Sequence, residues 1–378
     1  MGVWLLAAVS TGFLGVCGLA VATPPERTFA MDAVELVAGR EALGKSELFV
    51  VHDGIEYRFL TPENKATFEK EPTKYEAADG GACGRMGALA SLGDARRFAV
   101  HDGRIYFFAS DGCRAAFLKE PAAFIEVEDE MPFGSNDQVL KGRAVLDKVV
   151  AWAGGAEKLR GIESFRAHAE RTEKQGGKDW KVTNETVIVF PNSFYQREAW
   201  NESWFSTVSS TAGGAMDSAR GGKERIAPSR TRAFNRWMMH YPIVLLKAHV
   251  DGAPGNADCP GLVIIFDGEG ESDGAPVEFV KLWLNGAASR LVVEKATGKL
   301  LALSFHGRDG TMKVGDSVRR FTNYANVEGI TQPISYTVTF NGKEQPASAG
   351  RVDGFEINGE VPADLFRIEG GMRRSEPD

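Results

Sequence analysis

Two cysteines, Cys83 and Cys113, are the residues of this sequence whose type and spacing best suit chemistry. Thiolates bind metals such as Cu(I) and zinc, and two neighbouring thiols form a disulfide in an oxidising compartment. Three interpretations are open: a disulfide, a thiolate metal site with Met86 or His101 as further ligands, and two unrelated thiols. Two certain ligands are fewer than the four of a structural zinc site, so a metal site here would be incomplete or open.

The position of Cys113 favours both a disulfide and a metal–thiolate bond. We expect it near the third position of a helix, where the helix dipole lowers the pKa of a thiol. A disulfide between Cys83 and Cys113, which are 30 positions apart, would stabilise a small domain by about 3 kcal/mol.

Both cysteines belong to the second copy of an internal repeat. The segments Val51–Tyr75 and Val100–Phe124 align without a gap at an offset of 49, and 11 of the first 22 positions are identical. The first copy has Val34 and Asn64 at the two cysteine positions. A pair of cysteines within one small unit is expected to be close in space.

Two histidines, His52 and His101, occupy equivalent positions in the two copies, although only one copy has cysteines. A metal ligand should accompany its partner ligands, whereas a residue that braces a turn should occur wherever the turn does. We therefore interpret both histidines as part of the hairpin structure, with metal ligation by His101 as the less favoured alternative.

Each copy is predicted to fold as a β-hairpin followed by a helix. Asp53-Gly54 tolerates the positive φ angles of a two-residue hairpin turn. Thr61-Pro62-Glu63 supplies a helix cap, a proline in the first turn and an acidic residue. A unit of under 50 residues buries little surface alone, so the two copies are expected to build one core together.

The first region, about residues 30–126, contains four motifs: Asp32-Ala33-Val34, Tyr57-x-Phe59, Phe68-x-x-x-Pro72-x-x-Tyr75 and Gly80-Gly81-Ala82-Cys83, with their counterparts in the other copy. In these motifs the region resembles the exported, two-copy form of the YHS domain family. Metal-binding members of this and related families use a Cys-Gly-x-Met-like element and a later Phe-Cys-Ser-x-x-Cys element. Cys83-Gly84-Arg85-Met86 and Cys113 match two of these thiolates, and Ala109 replaces a third.

The second region changes from helix to strand. A helix is predicted from Val139 to Ala153, and from Ser164 onward the sequence predicts a long antiparallel meander. Two segments should interrupt it: Thr207–Ser229, rich in Gly, Ser and Ala and expected to be mobile, and an apolar helix over Ala233–His249 that other elements should cover on several sides.

Three segments of this second region are informative: Trp152–Leu159, Gly329–Pro333 and Val361–Phe366. In these segments the region resembles the LolA/LolB-type lipoprotein carriers. The resemblance implies a curved antiparallel half-barrel wrapped around helices, whose hollow holds an acyl chain or another apolar ligand. In the alternative interpretation, the protein's own helix fills the hollow, which then binds nothing.

The chain ends and the composition limit the remaining interpretations. The chain has 378 residues and a net charge of −7, and it has no long basic block, so a nucleic-acid partner is not expected. Residues 1–22 have the apolar run and Ala-x-Ala ending of a signal peptide, with a membrane anchor over residues 3–22 as the alternative. Cys17 is a minor candidate for lipidation, and Cys259 is expected to be an exposed thiol.

The sequence therefore predicts an α+β protein in five segments: a signal peptide (1–22), a duplicated YHS-like domain (27–126), a solvated acidic linker (127–137), a LolA-like half-barrel (138–370) and a tail (371–378). We expect a non-enzymatic, periplasmic or secreted binding protein for a lipid or other apolar ligand, with an envelope protein as a further partner. The alternative is a protein that handles copper or zinc, or one with thiol redox activity, acting through Cys83 and Cys113.

Overall fold

The structure, a computed structural model, describes residues 27–175, 178–200, 203–219, 222–252, 261–346 and 349–368. The predicted signal peptide or anchor, Cys17, Cys259 and the tail lie outside these residues. Within the described ranges, no helix combines the length and the apolar character needed to cross a membrane.

The first part of the chain, residues 27–126, is called the head. Its strands and helices are β1 (Thr28–Phe29), α1 (Ala33–Val37), β2 (Lys45–His52), β3 (Ile55–Phe59), α2 (Pro62–Lys70), α3 (Pro72–Tyr75), β4 (Asp94–His101), β5 (Arg104–Phe108) and α4 (Asp111–Lys119). The hairpins β2–β3 and β4–β5 have the same register at an offset of 49, including the bulge that follows the first residue pair. Each hairpin leads into a nine-residue helix.

Local sequence signals explain these elements. Asp53 and Gly54 have φ angles of 50° and 78°, as the predicted hairpin turn requires. The side chains of Thr61 and Ser110 accept hydrogen bonds from the third backbone N–H of α2 and α4, at 3.1 Å in each case. The predicted turn and helix caps are therefore confirmed.

One buried phenylalanine from each helix holds its hairpin in place. The Phe68 ring of α2 lies 4.8 Å from the ring of Tyr57 and 5.3 Å from that of Phe59. In the second half, Phe117 makes the equivalent contacts with Tyr106 and Phe108 at 4.8 and 5.2 Å. The two halves thus have nearly the same aromatic packing.

The rest of the chain from residue 136 is called the body. Its helices are α5 (Asn136–Trp152), α6 (Ala156–Arg160), α7 (Pro228–Met238) and α8 (Pro242–Val250). Its strands are β6 (Ser164–Gln175), β7 (Lys178–Val189), β8 (Ser193–Trp200), β9 (Ser203–Ser210), β10 (Gly213–Ser218), β11 (Glu224–Ile226), β12 (Val263–Ser272), β13 (Ala275–Leu284), β14 (Ala287–Glu294), β15 (Leu300–Arg308), β16 (Val314–Val327), β17 (Ile330–Phe340), β18 (Lys343–Glu344), β19 (Gly350–Arg351) and β20 (Gly354–Ile357).

The body strands form two antiparallel sheets. Seven strands follow the order β11-β10-β9-β8-β7-β6-β20, and a second sheet runs from β12 to β18 with β19 paired to β17. Among the described strands, neither sheet closes into a barrel. The α+β class with mainly antiparallel, open sheets is confirmed.

The prediction of a mobile segment over Thr207–Ser229 is wrong, because β10, β11 and the end of β9 lie there. Small residues are needed in these strands, since α7 packs closely against them. A Cβ atom at Gly214 would lie only 2.4 Å from Oγ1 of Thr231. The composition that suggested mobility therefore reflects close helix-to-sheet packing.

The prediction of one helix over Ala233–His249 is also wrong, since α7 and α8 are separate helices. Tyr241, which precedes Pro242, has an extended conformation with ψ of 124°. A proline disfavours helical geometry in the residue before it, and this ends α7 and begins a new helix.

The acidic segment after the head is exposed at Val127, Glu128 and Glu130, as a solvated linker would be, but two of its residues also contact the body. The Asp129 carboxylate accepts a 2.7 Å hydrogen bond from the N–H of Ala288, and its carbonyl accepts one of 3.1 Å from Nε1 of Trp283. Glu128 forms a 2.7 Å ion pair with Arg236. Basic and polar partners in the body, which sequence composition does not reveal, hold these acidic residues.

Replacing Phe117 by Ala should destabilise the head strongly, because this side chain is fully buried between α4 and its hairpin. We expect a loss of about 3–5 kcal/mol in the free energy of unfolding, measured by urea denaturation. The matched control is Phe133→Ala, at a side chain that is 87% exposed, for which we expect a change within about 0.5 kcal/mol. Similar losses for both variants would contradict the assigned core.

Candidate functional site

Cys83 and Cys113 lie side by side in the second half of the head. Cys83 pairs with Phe107 of β5 through a parallel bridge, and Cys113 is the third residue of α4. Both residues belong to one apolar cluster, and they are 0% and 2% exposed. The structure shows them as two thiols and not as a disulfide, and their predicted closeness is confirmed.

The two sulfurs have opposite electrostatic environments. The interaction with the Cys113 sulfur, together with burial, raises the pKa of Cys83 well above its ordinary value. The same interaction, hydrogen bonds from Ser110 and Arg85, and the charge of Arg85 lower the pKa of Cys113 to about 5, although burial opposes this. This environment therefore favours the thiolate of Cys113 over that of Cys83.

His101 does not join the cysteines. Its ring packs edge-to-face on Phe117 with centroids 6.1 Å apart, as the ring of His52 packs on Phe68 at 5.7 Å. The interpretation of both histidines as hairpin residues agrees with these contacts. Met86 packs against the apolar cluster that contains both cysteines.

The described residues place one group of three potential His, Cys, Asp or Glu ligands within 4.8 Å of one another: His52, Asp53 and Glu76. Nε2 of His52 lies 2.7 Å from the Glu76 carboxylate, and this hydrogen bond raises the pKa of the imidazole. The second copy has Ile125 in place of Glu76. We interpret the group as a tether between hairpin and helix, and no sequence pattern predicted it because Glu76 lies outside the hairpin.

The space between the two sheets of the body is filled by α7 and α8. The buried side chains of these helices and of the turn between them include Phe234, Met238, Met239, Tyr241, Ile243, Val244, Leu245 and Leu246, each at most 4% exposed. They belong to one apolar cluster that includes strands of both sheets. The described structure therefore agrees with the alternative in which the protein's own helices fill the hollow.

Polar contacts hold this helical segment to both sheets. The hydroxyl of Tyr241 lies 3.0 Å from that of Thr186 in the seven-stranded sheet. Nδ1 of His240 lies 2.9 Å from Oγ of Ser289 in the other sheet, and its ring stacks on Phe305 with centroids 4.4 Å apart. His240 is thus a buried residue between the sheets.

Two arginines of the body bind backbone carbonyls of the head. Arg230 is 3% exposed and donates to the carbonyls of Ala88 and Ala90 at 2.8 and 2.7 Å. Arg308 donates to the carbonyl of Phe124 at 2.7 Å and forms a 3.0 Å ion pair with Glu126. Head and body are therefore joined by buried, charge-assisted hydrogen bonds.

A cavity of about 90 Å³ lies beside these contacts and is called the junction cavity. Both regions contribute to its wall: Met86, Ala88, Leu89, Glu126, Val127 and Asp129 before the body, and Ala233, Arg236, Trp237, His240, Gly286, Ala287, His306, Gly307, Arg308 and Met312 from the body. Both apolar and charged side chains line this cavity.

No family model matches this chain, and no curated protein matches it. Among solved structures, it is similar to a DUF1329 family protein from Desulfovibrio piger, with 13% identity, a TM-score of 0.38, and coverage of 60% of this chain and 97% of the other. A putative outer membrane lipoprotein-sorting protein domain from Vibrio parahaemolyticus shows 11% identity, a TM-score of 0.36, and coverage of 61% and 97%. A LolA superfamily protein from Nitrosomonas europaea shows 11% identity, a TM-score of 0.29, and coverage of 60% and 96%. No function follows from likenesses this distant, and the YHS resemblance stays a prediction.

Acidification should titrate the Cys113 thiolate at a pH far below that of an ordinary thiol. Because its pKa is lowered to about 5, the ultraviolet absorbance of the thiolate should be present at pH 7 and disappear near pH 5. The Cys113→Ser variant should lack this step, whereas the Cys259→Ser variant should keep it. A step that appears only above pH 8 in the unmodified protein would contradict the assigned charge.

Proposed function

We propose that this protein is an exported, non-enzymatic binding protein of the cell envelope, located in the periplasm or secreted. Its ligand inserts an apolar group into the junction cavity. The observation that carries the proposal is the convergence of apolar side chains from both regions, Met86 and Leu89 with Trp237 and Met312, around one cavity. Ligand sites of this kind commonly lie where two structural units meet.

The charged groups of the cavity wall favour binding over catalysis. Arg308 and Arg236 already form ion pairs with Glu126 and Glu128 at 3.0 and 2.7 Å. Burial lowers the pKa of His240 to about 3, so its imidazole is neutral at physiological pH. The wall thus offers compensated charges, which suit an apolar group better than an ionic substrate.

The size of the cavity limits what it holds in this conformation. An engineered protein cavity of about 150 Å³ binds benzene, and the junction cavity of about 90 Å³ is smaller. It therefore accommodates the end of an acyl chain or a similar small group. A whole chain requires the space between the sheets that α8 occupies.

The use of Cys83 and Cys113 for copper or zinc remains a prediction. Elemental analysis of the purified protein tests it directly, and loss of bound metal in the Cys83→Ser variant would assign the metal to this pair.

Replacing Leu89 by Trp should fill the junction cavity and weaken binding. We expect about a tenfold increase in the dissociation constant of dodecanoate, which corresponds to about 1.4 kcal/mol, measured by isothermal titration calorimetry. Because the cavity charges are already paired, the uncharged amphiphile monolaurin should show the same loss.

The matched control is Leu140→Trp, at a side chain of α5 that is 67% exposed, and it should bind like the unmodified protein. The proposal fails if the unmodified protein binds neither amphiphile, or if Leu89→Trp binds both with unchanged affinity while remaining folded by circular dichroism.

A further inference from the structure

We propose that His52, Asp53 and Glu76 form a binding site for a divalent transition-metal ion, and that zinc is the ion that fits it best. The site lies in the first half of the head, which has no cysteines. The inference is independent of the apolar ligand proposed above and of the cysteine pair. It is based on the distances between the three side chains and on a comparison with the second half of the head.

The fold brings the three side chains together from two places in the chain. His52 ends β2, Asp53 is the first residue of the hairpin turn, and Glu76 directly follows α3. Nε2 of His52 lies 2.7 Å from Oε2 of Glu76 and 3.9 Å from Oδ2 of Asp53. The three ligand atoms all lie within 4.8 Å of one another. Two ligands of a tetrahedral zinc ion are about 3.4 Å apart, because each lies about 2.0–2.2 Å from the metal, so small side-chain movements complete the site.

Packing holds two of the ligands in place before an ion binds. The ring of His52 packs edge-to-face on Phe68, with centroids 5.7 Å apart, and Phe68 is fully buried. The residue that follows Glu76 is fixed as well, since the N–H of Ala77 donates to the hydroxyl of Tyr57 at 2.8 Å. Ligands that are held in this way lose little conformational freedom when they bind a metal, and this favours binding.

A tether between hairpin and helix does not need all three groups. His52 and Glu76 alone make the hydrogen bond that joins the two elements. Asp53 adds a second carboxylate within 4.8 Å of the first, and its side chain is only 18% exposed. Two carboxylates this close repel each other, and an asparagine would form the same turn. A divalent cation between the carboxylates removes this repulsion, which explains why an aspartate is present.

The chemical types of the three ligands select the ion. Zinc accepts both imidazole nitrogen and carboxylate oxygen, whereas Mg²⁺ and Ca²⁺ prefer oxygen alone and Cu(I) prefers sulfur. Two carboxylates and a neutral imidazole carry two negative charges, and the charge of Arg232, which acts on Asp53, compensates only part of them. Three protein ligands leave the fourth tetrahedral position open for water.

The second half of the head is a natural comparison that lacks one ligand. His101 and Asp102 occupy the same places in their hairpin as the histidine and aspartate of the site, and Nε2 of His101 lies 3.4 Å from Oδ2 of Asp102. Ile125 stands at the position of Glu76, and the side chain of Asp102 is 88% exposed. Only the first half therefore has a third ligand and a partly buried site.

The test titrates zinc chloride into the full-length mature protein, freed of metal with EDTA, by isothermal titration calorimetry at pH 7. We expect one zinc ion to bind at this site. The Asp53→Asn variant keeps the turn and the hydrogen bond between His52 and Glu76, so without zinc it should be as stable as the unmodified protein. Its dissociation constant for zinc should rise at least about tenfold, since changes to the outer partners of metal ligands already cost about 10–100-fold in affinity.

Two control variants separate this site from other zinc ligands. Asp102→Asn changes the equivalent residue of the second hairpin and should bind zinc like the unmodified protein. Cys83→Ser should keep the zinc ion of this site, whereas zinc held by the cysteine pair would be lost in that variant. Zinc should also raise the Tm of the unmodified protein and of Asp102→Asn more than the Tm of Asp53→Asn.

Three results overturn the proposal, each for protein that is folded by circular dichroism. The unmodified protein binds no zinc, Asp53→Asn binds zinc with unchanged affinity, or Cys83→Ser abolishes all binding. An unchanged affinity in Asp53→Asn would leave the three residues as a tether alone.

Discussion

The start of a helix leaves backbone N–H groups without partners, and each half of the head meets this requirement with a side chain that precedes the helix. In the first half, the buried carboxylate of Asp32 accepts from the N–H groups of Val34 and Glu35 in α1, and Thr61 caps α2. In the second half, Ser110 accepts from the N–H of Cys113 in α4. Each of these helices therefore begins directly after the residue that caps it.

The second half of the head contacts the body close to its cysteines. The carbonyl of Arg85 lies 3.5 Å from the guanidinium of Arg308, and the neighbouring residue Met86 lines the junction cavity. Arg230 anchors the following turn through the carbonyl of Ala88. The short segment 85–88 therefore lies at the contact between head and body.

Local signals predicted the elements of the fold, whereas contacts distant in sequence were not predictable. Turn and cap residues such as Asp53 and Thr61 affect the backbone within three positions of themselves, so the turn or helix start that they form can be predicted from the sequence. Arg230 binds backbone carbonyls some 140 residues away, and a carbonyl has no sequence signature. The closeness of Cys83 and Cys113 followed from the repeat, but the presence of Arg85 beside them required the structure.

An acyl chain enters the space between the sheets only if its burial stabilises the protein as much as the burial of the α8 side chains that it would displace. Four side chains of α8, Ile243, Val244, Leu245 and Leu246, are at most 4% exposed, and burying each contributes about 1.5–3 kcal/mol, or about 6–12 kcal/mol together. An acyl chain gains about 0.8 kcal/mol for each buried methylene. A chain of about six methylenes gains about 5 kcal/mol and does not displace α8, whereas about twelve gain about 10 kcal/mol and approach balance. On this comparison, short apolar groups fit only the proposed site at the junction, and a long chain is the smallest ligand able to compete with α8.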